Sequence, residues 1–155
     1  MITLKDVTSD NWLQCLLLTT NPSGDHTLFE GFVVSNAVSL AQSKIEPHWK
    51  TKAIYHEDTL IGFTMYGFDF KQNYYEICRL MIDFKFHGKG YGKMALLQII
   101  EEMKKEFQCE EIYLSFDSEN VIARRLYEGV GFQDTGQIVK GNIEERLYCL
   151  KTQNA

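Results

Sequence analysis

The turn that follows residue 82 restricts the fold of this chain more than any other segment. An apolar run ending at Leu80–Ile82 is typical of a buried strand, and a long amphipathic helical pattern begins past Gly88. The connection carries three alternate glycines and two lysines: Gly88, Lys89, Gly90, Gly92 and Lys93. Such glycines let successive backbone N–H groups point at one spot, with the positive end of the helix dipole behind them. The segment therefore predicts a phosphate-binding turn.

Two better-known phosphate-binding motifs fit this turn poorly. A Walker loop needs a glycine five positions after the first one and a hydroxyl residue after its lysine, but Lys93 and Met94 stand there. A dinucleotide fold needs G-x-G-x-x-G early in a βαβ unit, whereas these glycines are in mid-chain and spaced G-x-G-x-G. A tight turn that needs positive φ and binds nothing remains the alternative.

Hydrophobic periodicity predicts a mixed α/β sheet in the order β-α-α-β-β-β-α-β-α-β-β. The predicted strands are Ile2–Val7, Trp49–His56, Leu60–Phe68, Tyr74–Ile82, Glu111–Phe116, Gln137–Val139 and Glu144–Leu150. Four helices are predicted. The first is capped by Ser9 and carries Trp12, Leu13, Leu16 and Leu17 on one side, and the second covers Thr27–Ser43. The third begins past Gly88 and carries Leu96, Ile99, Ile100, Met103 and Phe107 on one side, and the fourth covers Val121–Glu128. Because no repeat or linker divides the chain, we expect residues 1–155 to form a single domain.

Composition and charge exclude several classes of protein. Of the 155 residues 45% are hydrophobic, which supplies enough apolar surface for a folded domain and too much for a disordered chain. The formal net charge of −5 argues against a nucleic-acid partner. Residues 1–78 carry five basic and nine acidic side chains, against eleven and twelve in 79–155, so we expect a cation to bind against the first half.

Cysteines, histidines and the N-terminus provide no motif for a metal, a redox centre or a membrane. The cysteines are far apart among apolar residues, so we expect buried thiols in a reducing compartment: Cys15, Cys78, Cys109 and Cys149. His26, His48 and His56 lack the spacing of a metal-binding or triad motif, so we expect no metal. The charged N-terminus and short apolar runs predict a cytoplasmic protein without a membrane partner.

Two motifs, in this order, resemble the GNAT family of N-acetyltransferases. His87–Gly92 is similar to the family's pyrophosphate loop, (Q/R)-G-x-G-x-(G/A), with histidine in the first position. Asn120–Phe132 is similar to the family's second signature, N-x-x-A-x-x-(L/F)-Y-x-x-x-G-F. Within the family, Ser35–Gln42 and Arg79–Asp83 look most like bacterial spermine/spermidine (diamine) N-acetyltransferases.

The resemblance implies a fold and a cosubstrate. The fold is α/β (α+β), a mixed and mostly antiparallel sheet of about seven strands flanked by about four helices, with splayed central strands. The implied cosubstrate is acetyl-CoA, whose pantetheine arm would pair with the backbone of Leu80, Met81 and Ile82. Backbone N–H groups from His87 through Gly92 would hold the pyrophosphate, and we expect the unusual histidine to permit binding that is somewhat weaker near neutral pH. Family members are often homodimers, so a homodimer is also implied.

The resemblance also implies how the acetyl group is transferred. Tyr127 matches the family's general acid, because a phenol with a pKa near 10 is protonated at pH 7 and can donate to a departing thiolate. On the residues alone, Tyr127 beside Leu126 is more typical of a core-facing aromatic. Asn120 resembles the asparagine that binds the pantetheine, and it can equally be a helix-entry residue. The backbone N–H of Leu80 would polarise the thioester carbonyl.

The acceptor needs a group that removes its proton, because an alkylammonium has a pKa near 10. Glu76 is the candidate base: it precedes Leu80 by an even spacing, so the two side chains share a face if no bulge intervenes. Its apolar neighbours predict a raised pKa, and an exposed strand end is the alternative. Asp25 and Glu30, with Glu76, are the candidate substrate-binding residues, although charged residues near a loop are more often simply solvated.

We therefore expect an acetyl-CoA-dependent enzyme that acetylates a primary amine of a polyamine, spermidine or spermine, by direct attack in a ternary complex. Cys78 could serve as an acetyl relay, but it lacks a neighbouring histidine and is predicted to lie in the core. Two alternatives stay open. One is the same chemistry on an aminoglycoside, an amino acid, a protein N-terminus or a lysine; the other is a non-catalytic acyl-CoA-binding module, which would not need the proton donor Tyr127.

Overall fold

A computed structural model of the protein describes residues 1–23, 35–141 and 143–154. Asp25 and Glu30 lie outside the described residues, as does the part of the predicted Thr27–Ser43 helix that precedes Ser35. Both candidate ammonium ligands therefore remain predictions from the sequence.

The described elements follow the predicted order. The strands are β1 (Ile2–Asp6), β2 (Trp49–His56), β3 (Thr59–Asp69), β4 (Tyr74–Ile82), β5 (Glu111–Phe116), β6 (Gln133–Lys140) and β7 (Glu144–Lys151). The helices are α1 (Trp12–Leu17), α2 (Asn36–Ile45), α3 (Tyr91–Phe107) and α4 (Val121–Val130), with short 3-10 turns at Phe84–Phe86 and Thr152–Asn154. In this part of the chain no helix is long and apolar enough to cross a membrane.

The seven strands form one sheet in the order β1-β2-β3-β4-β5-β7-β6. Every neighbouring pair is antiparallel except β4 and β5, which run parallel. Strands β4 and β5 are paired at one position, Glu76 opposite Tyr113. Beyond that pair the two strands diverge, so the predicted mixed sheet with splayed central strands is confirmed.

A bulge interrupts β4 immediately after this pair. Ile77 lies opposite Tyr66 of β3, but the next pair along is Arg79 with Met65. Cys78 is therefore an extra residue on β4, and an extra residue reverses the alternation of faces beyond it.

Hydrophobic clusters cover both faces of the sheet. On one face, α3 contributes Leu96, Ile99, Ile100 and Met103, which pack with residues of β3, β4, β5 and β7. On the other face, Phe63 and Met65 of β3 pack with Cys15 of α1 and with Met81. The amphipathic face predicted for α3 is confirmed, and this helix fixes the sheet behind the splayed strands.

The prediction for α1 is wrong in its cap and its face. The helix begins at Trp12 with Asn11 as its N-cap, so Ser9 does not cap it. Trp12, Leu13 and Leu17 are exposed, whereas Asn11, Cys15 and Leu18 are buried. The buried positions are spaced at i, i+4 and i+7. The face of α1 that lies against the sheet is therefore the one next to the predicted face.

Three further predictions need correction. Strand β6 begins at Gln133 rather than Gln137, because Gly136 adopts φ 83° and a register shift hides the alternation. Helix α2 begins at Asn36, where Ser35 accepts a hydrogen bond from Val38 N. The four cysteines are not all buried: Cys15 and Cys109 are, but Cys78 is exposed and Cys149 is half-buried.

Candidate active site

The divergence of β4 from β5 opens a gap in the middle of the sheet. Since the described strands pair only at Glu76 and Tyr113, residues 77–82 of β4 have no strand partner on the β5 side. This stretch contains Leu80, Met81 and Ile82, the three residues predicted to pair with a pantetheine arm. Their backbone is held on the other side by the ladder with β3. An extended ligand could add to this free side as a further strand would.

The glycine turn has the backbone that the sequence predicts. Gly88 and Gly90 have φ of 78° and 81°, and a Cβ built on either would meet nothing within 4 Å. Gly90 is the N-cap of α3, and the helical bonding starts with Met94 N donating to Gly90 O at 3.2 Å. The N–H groups of residues 91–93 precede that bond and have no intrahelical acceptor. This open, positively polarised turn fits a phosphate group, with exposed Lys89 and Lys93 beside it.

His87 holds this turn to the end of β4. Its Nε2 lies 2.6 Å from the carbonyl oxygen of Ile82, and its backbone N–H donates to Phe84 O at 3.2 Å. The N–H of His87 is thus already bonded within the chain, which competes with its predicted role in binding pyrophosphate, and that role stays a prediction. The histidine side chain holds the loop against the end of β4, and anion binding by the N–H groups of the turn stays a prediction.

Asp83 fixes the same junction from inside the protein. It is 3% exposed, and its carboxylate accepts hydrogen bonds from Thr19 N and Lys85 N, both at 3.1 Å. Phe84 N donates in turn to Thr19 O at 2.9 Å. The turn therefore leaves β4 in one defined direction, tied to the segment that follows α1.

Tyr127 lies on α4, with its ring against Phe116 and Phe132 at centroid distances of 5.0 and 6.0 Å. The core-facing interpretation thus describes the ring, and the role of the hydroxyl as a general acid stays a prediction. Among the described residues its hydroxyl has no hydrogen-bond partner, and burial together with the charge of Glu145 raises the pKa of this phenol to about 12. The hydroxyl is thus a protonated donor at neutral pH, with no acceptor in the part of the chain that the structure describes.

Asn120 caps the helix that carries Tyr127. Its Oδ1 accepts a hydrogen bond from Ala123 N at 3.1 Å, which is the helix-entry role foreseen as an alternative. The cap uses the oxygen alone. The exposed amide nitrogen remains suited to donate to a ligand, so the pantetheine role of Asn120 stays a prediction.

Glu76 lies where β4 and β5 separate, and it is half-buried rather than exposed. Burial, a hydrogen bond with Asp69 and the negative charges of Asp69 and Glu145 raise the pKa of Glu76 to about 8. The sequence predicted the direction of this shift from desolvation alone. The two neighbouring carboxylates strengthen it, since like charges disfavour ionisation.

Glu76 and Leu80 were predicted to share a face if no bulge intervenes, and the bulge at Cys78 places them on opposite faces. Ile77 and Leu80 both pack on the α3 side of the sheet, because the bulge at Cys78 reverses the alternation between them. Glu76 precedes Ile77 and so points to the opposite face. Tyr127 belongs to the α3 side, which means that Glu76 and Tyr127 approach the gap from opposite faces.

Two acidic residues near the gap were not identified as candidate site residues from the sequence. Glu145 of β7 is half-buried, accepts a hydrogen bond from Ser115 Oγ at 3.0 Å, and has a pKa raised mainly by burial. Asp69 ends β3 and contacts Glu76. Only the strand order, with β7 placed between β5 and β6, brings Glu145 to the gap, and no local motif signals that order.

The two segments that look most like diamine acetyltransferases meet in the structure. The amide of Asn36 in α2 donates to Cys15 O at 2.7 Å, and its oxygen accepts from Arg79 Nε at 3.3 Å. The same amide nitrogen lies 3.8 Å from the sulfur of Met81. Asn36 therefore joins α1 and α2 to the β4 segment that borders the gap.

Cys78 is not a core residue, contrary to the prediction. It is the exposed bulge residue of β4, and its Sγ donates to Met65 O at 3.3 Å. Although the residue is exposed, surrounding protein atoms desolvate its sulfur, and this desolvation together with the charge of Glu76 raises the pKa of the thiol, which disfavours the nucleophilic thiolate. Within residues 1–23, 35–141 and 143–154 no three histidines, cysteines or acids are grouped as a metal site would require.

A splayed sheet, an open glycine turn at the start of α3 and a tyrosine hydroxyl with no partner among the described residues agree with the sequence resemblance. The sequence profile described as the acetyltransferase (GNAT) family matches residues 15–132, well over half of the chain. The chain belongs to the GNAT family of acetyltransferases. The expected N-acetyltransferase class and fold are thereby confirmed.

Relatives of this GNAT chain include polyamine acetyltransferases. The spermine/spermidine N(1)-acetyltransferase of Bacillus subtilis (strain 168) is 33% identical over 143 residues, which cover 88% of this chain and 91% of the relative. The spermidine N-acetyltransferase from Vibrio cholerae, solved in complex with CoA and spermine, has a TM-score of 0.75 and 15% identity over 98% of this chain and 96% of that chain. The PaiA N-acetyltransferase from Thermoplasma acidophilum, in complex with coenzyme A, has a TM-score of 0.70 and 17% identity. The match covers 97% of this chain and 99% of that chain.

Proposed function

We propose that this GNAT enzyme, acting as one domain, transfers the acetyl group of acetyl-CoA to a primary amine of a polyamine such as spermidine or spermine. Two findings support the acceptor: the Bacillus subtilis relative is named for spermine and spermidine, and Glu76 places a carboxylate at the gap. The acidic balance of the chain also favours a polycation.

The residues of the gap and the turn fit the cosubstrate. Leu80, Met81 and Ile82 offer strand backbone to its extended arm, and the N–H groups from Gly88 to Lys93 offer donors to its pyrophosphate. Acetyl-CoA, when bound, supplies the acetyl group as a thioester. The N–H of Leu80 polarises the carbonyl of that thioester, which stabilises the negative charge that develops on its oxygen.

Glu76 acts as the base in this proposal. The acceptor must lose a proton before its nitrogen can attack, and a carboxylate whose pKa is near 8 accepts that proton far more readily than an ordinary one. The N–H bond of the ammonium breaks and an O–H bond forms on Glu76. The neutral amine then attacks the thioester directly, without an acyl-enzyme on Cys78.

Tyr127 acts as the acid. Its hydroxyl donates a proton to the sulfur as the carbon–sulfur bond breaks, so the thiol leaves uncharged. A phenol with a pKa of about 12 keeps its proton over the whole physiological range. Asp25 and Glu30 are proposed to bind the other ammonium groups, as the sequence suggested.

The observation that carries this proposal is Glu76 with its raised pKa, located where β4 and β5 part. The test incubates the protein with acetyl-CoA and separate amines and follows release of free thiol. We expect turnover with spermidine and spermine, and none with aminoglycosides, amino acids or lysine peptides. Turnover only with one of those other amines would contradict the polyamine assignment, and CoA binding without any turnover would indicate a non-catalytic module.

A further inference from the structure

Asp69 and Glu76 are diagonal neighbours on adjacent strands. The ladder between β3 and β4 pairs Asp69 with Tyr74 and Gly67 with Glu76, so both carboxyls lie on the same face of the sheet. Diagonal neighbours on one face are within reach of each other's side chains, and a hydrogen bond with Asp69 is among the causes that raise the pKa of Glu76. Two carboxyl groups can share a hydrogen bond only if one of them carries a proton.

The turn after β3 decides which carboxyl is the acceptor. Asp69 Oδ1 accepts hydrogen bonds from Lys71 N at 2.9 Å and from Gln72 N at 3.1 Å. These two backbone donors hold the Asp69 side chain in one orientation and establish its carboxyl as a hydrogen-bond acceptor. The shared proton is therefore carried by Glu76, which donates it to Asp69.

We propose that Asp69 is a positioning residue for the base Glu76. When Glu76 takes a proton from the acceptor ammonium, the carboxylate of Asp69, held by the turn, accepts a hydrogen bond from the O–H group that forms on Glu76. This inference rests on the proposed function of Glu76. In the form of the enzyme that accepts the proton, Glu76 is ionised and its carboxylate attracts the ammonium. Afterwards Glu76 is neutral, and its new O–H group points at Asp69 rather than back at the amine.

Other titratable groups also face Glu76, and they must be separated from Asp69 in any test. Among the described residues these are Tyr74 and Cys78 on β4 itself, Tyr113 on β5 and Glu145 on β7. The pKa values of Tyr74, Cys78 and Tyr113 are raised, so these three are uncharged near neutral pH, and Glu145 is the one carboxyl among the four. Asp69 differs from Glu145 in that it contacts Glu76 directly, so its removal changes both charge and hydrogen bonding.

The test compares Asp69→Asn with Asp58→Asn, which removes the same charge from an exposed hairpin turn between β2 and β3. The amide oxygen of asparagine can still accept the two turn N–H bonds, so the hairpin should be kept. Carbon-13 NMR of the glutamate carboxyls in the free protein follows the titration of Glu76. We expect its midpoint to fall by about one pH unit or more in Asp69→Asn and to stay unchanged in Asp58→Asn.

The second readout is the pH profile of kcat/KM with spermidine. In Asp69→Asn the acidic limb should move to lower pH by the same amount, with kcat at pH 9 about tenfold lower, because a weaker base accepts the proton less readily. An unmoved NMR midpoint would overturn the inference even in an active enzyme. A moved midpoint with an unmoved limb would overturn the role in catalysis.

Two controls keep these outcomes distinct. A wild-type enzyme that acetylates no amine refutes the proposed function before any variant is made, and with it the catalytic part of the inference. If Asp69→Asn does not fold by circular dichroism, Asp69→Ser replaces it, since a serine hydroxyl also accepts turn N–H groups but leaves no charge.

Discussion

The imidazole of His87 reaches back over the turn to the last residue of β4, with Nε2 only 2.6 Å from the carbonyl oxygen of Ile82. This bond links the strand that borders the gap to the turn that would bind phosphate. A ring protonated on Nε2 can donate it whether the imidazole is neutral or charged. The bond thus explains how a histidine can stand where the family has glutamine or arginine.

Replacing His87 by alanine should weaken CoA binding. Without the bond to Ile82 the turn must be ordered by the ligand, and we expect the Kd measured by calorimetry to rise about fivefold to tenfold. His87→Gln keeps a donor and should stay within about threefold of the wild type. Equal losses in both variants would show that the hydrogen bond does not matter.

Replacing Tyr127 by phenylalanine should remove the acid while keeping the packing against Phe116. We expect kcat to fall about 100-fold or more and the Kd of CoA to change by less than about twofold. Tyr148→Phe is the matched control, because its ring also packs on Phe116, at 4.6 Å, and its hydroxyl bonds to Glu128. An unchanged kcat in Tyr127→Phe would exclude the phenol from the reaction.

Replacing Glu76 by glutamine should slow acetylation most below about pH 8. Wild-type kcat/KM should rise with pH until Glu76 is ionised, near its pKa of about 8. The variant can acetylate only amines that have already lost their proton in solution. Its loss of kcat/KM relative to the wild type should therefore shrink as the pH approaches 10. A deficit of equal size at every pH would point to damaged folding instead of a missing base.

The same substitution should change stability with the opposite pH dependence. Because the pKa of Glu76 is raised above its ordinary value of 4.5 in the folded protein, the contribution of Glu76 to stability is fully present below about pH 4.5 and is lost as the pH rises through about 8. Glutamine does not ionise, so Glu76→Gln should be the more stable protein at pH 9, by about 1 kcal/mol or more. Urea unfolding at pH 5 and pH 9 measures the difference, and a variant that is less stable at pH 9 would refute the buried carboxylate.

Replacing Tyr66 by phenylalanine should stabilise the fold. Tyr66 is fully buried, and within the described part of the chain its hydroxyl has no hydrogen-bond partner. Removing an unsatisfied buried hydroxyl should raise the free energy of unfolding by about 1 kcal/mol. Thermal unfolding of the variant tests this, and a lower Tm would mean that the hydroxyl is bonded in solution.

The sequence was informative where a signal is local. Strands Tyr74–Ile82 and Glu111–Phe116 have the predicted bounds because turn residues and alternation delimit them, and the glycine turn has the positive φ values that its pattern requires. The family motifs identified Tyr127 and the turn. Local patterns and recognisable motifs thus suffice for the elements and part of the site.

Features that depend on pairing between strands could not be predicted. The bulge at Cys78 comes from the register of β4 against β3, and it separates the faces of Glu76 and Leu80. The contact between Asp69 and Glu76 and the approach of Glu145 depend on registers of the same kind. A pattern of apolar residues predicts which residues form a strand, but not which residues of the neighbouring strand they face.

The single pair formed by Glu76 and Tyr113 leaves the sheet incomplete in its interior rather than at its rim. Exposed sheet rims invite indiscriminate pairing with other chains, whereas a narrow internal slot admits only a slim, extended molecule. The protein can therefore keep unsatisfied strand backbone without promoting aggregation, and the molecule that enters becomes a temporary part of its architecture.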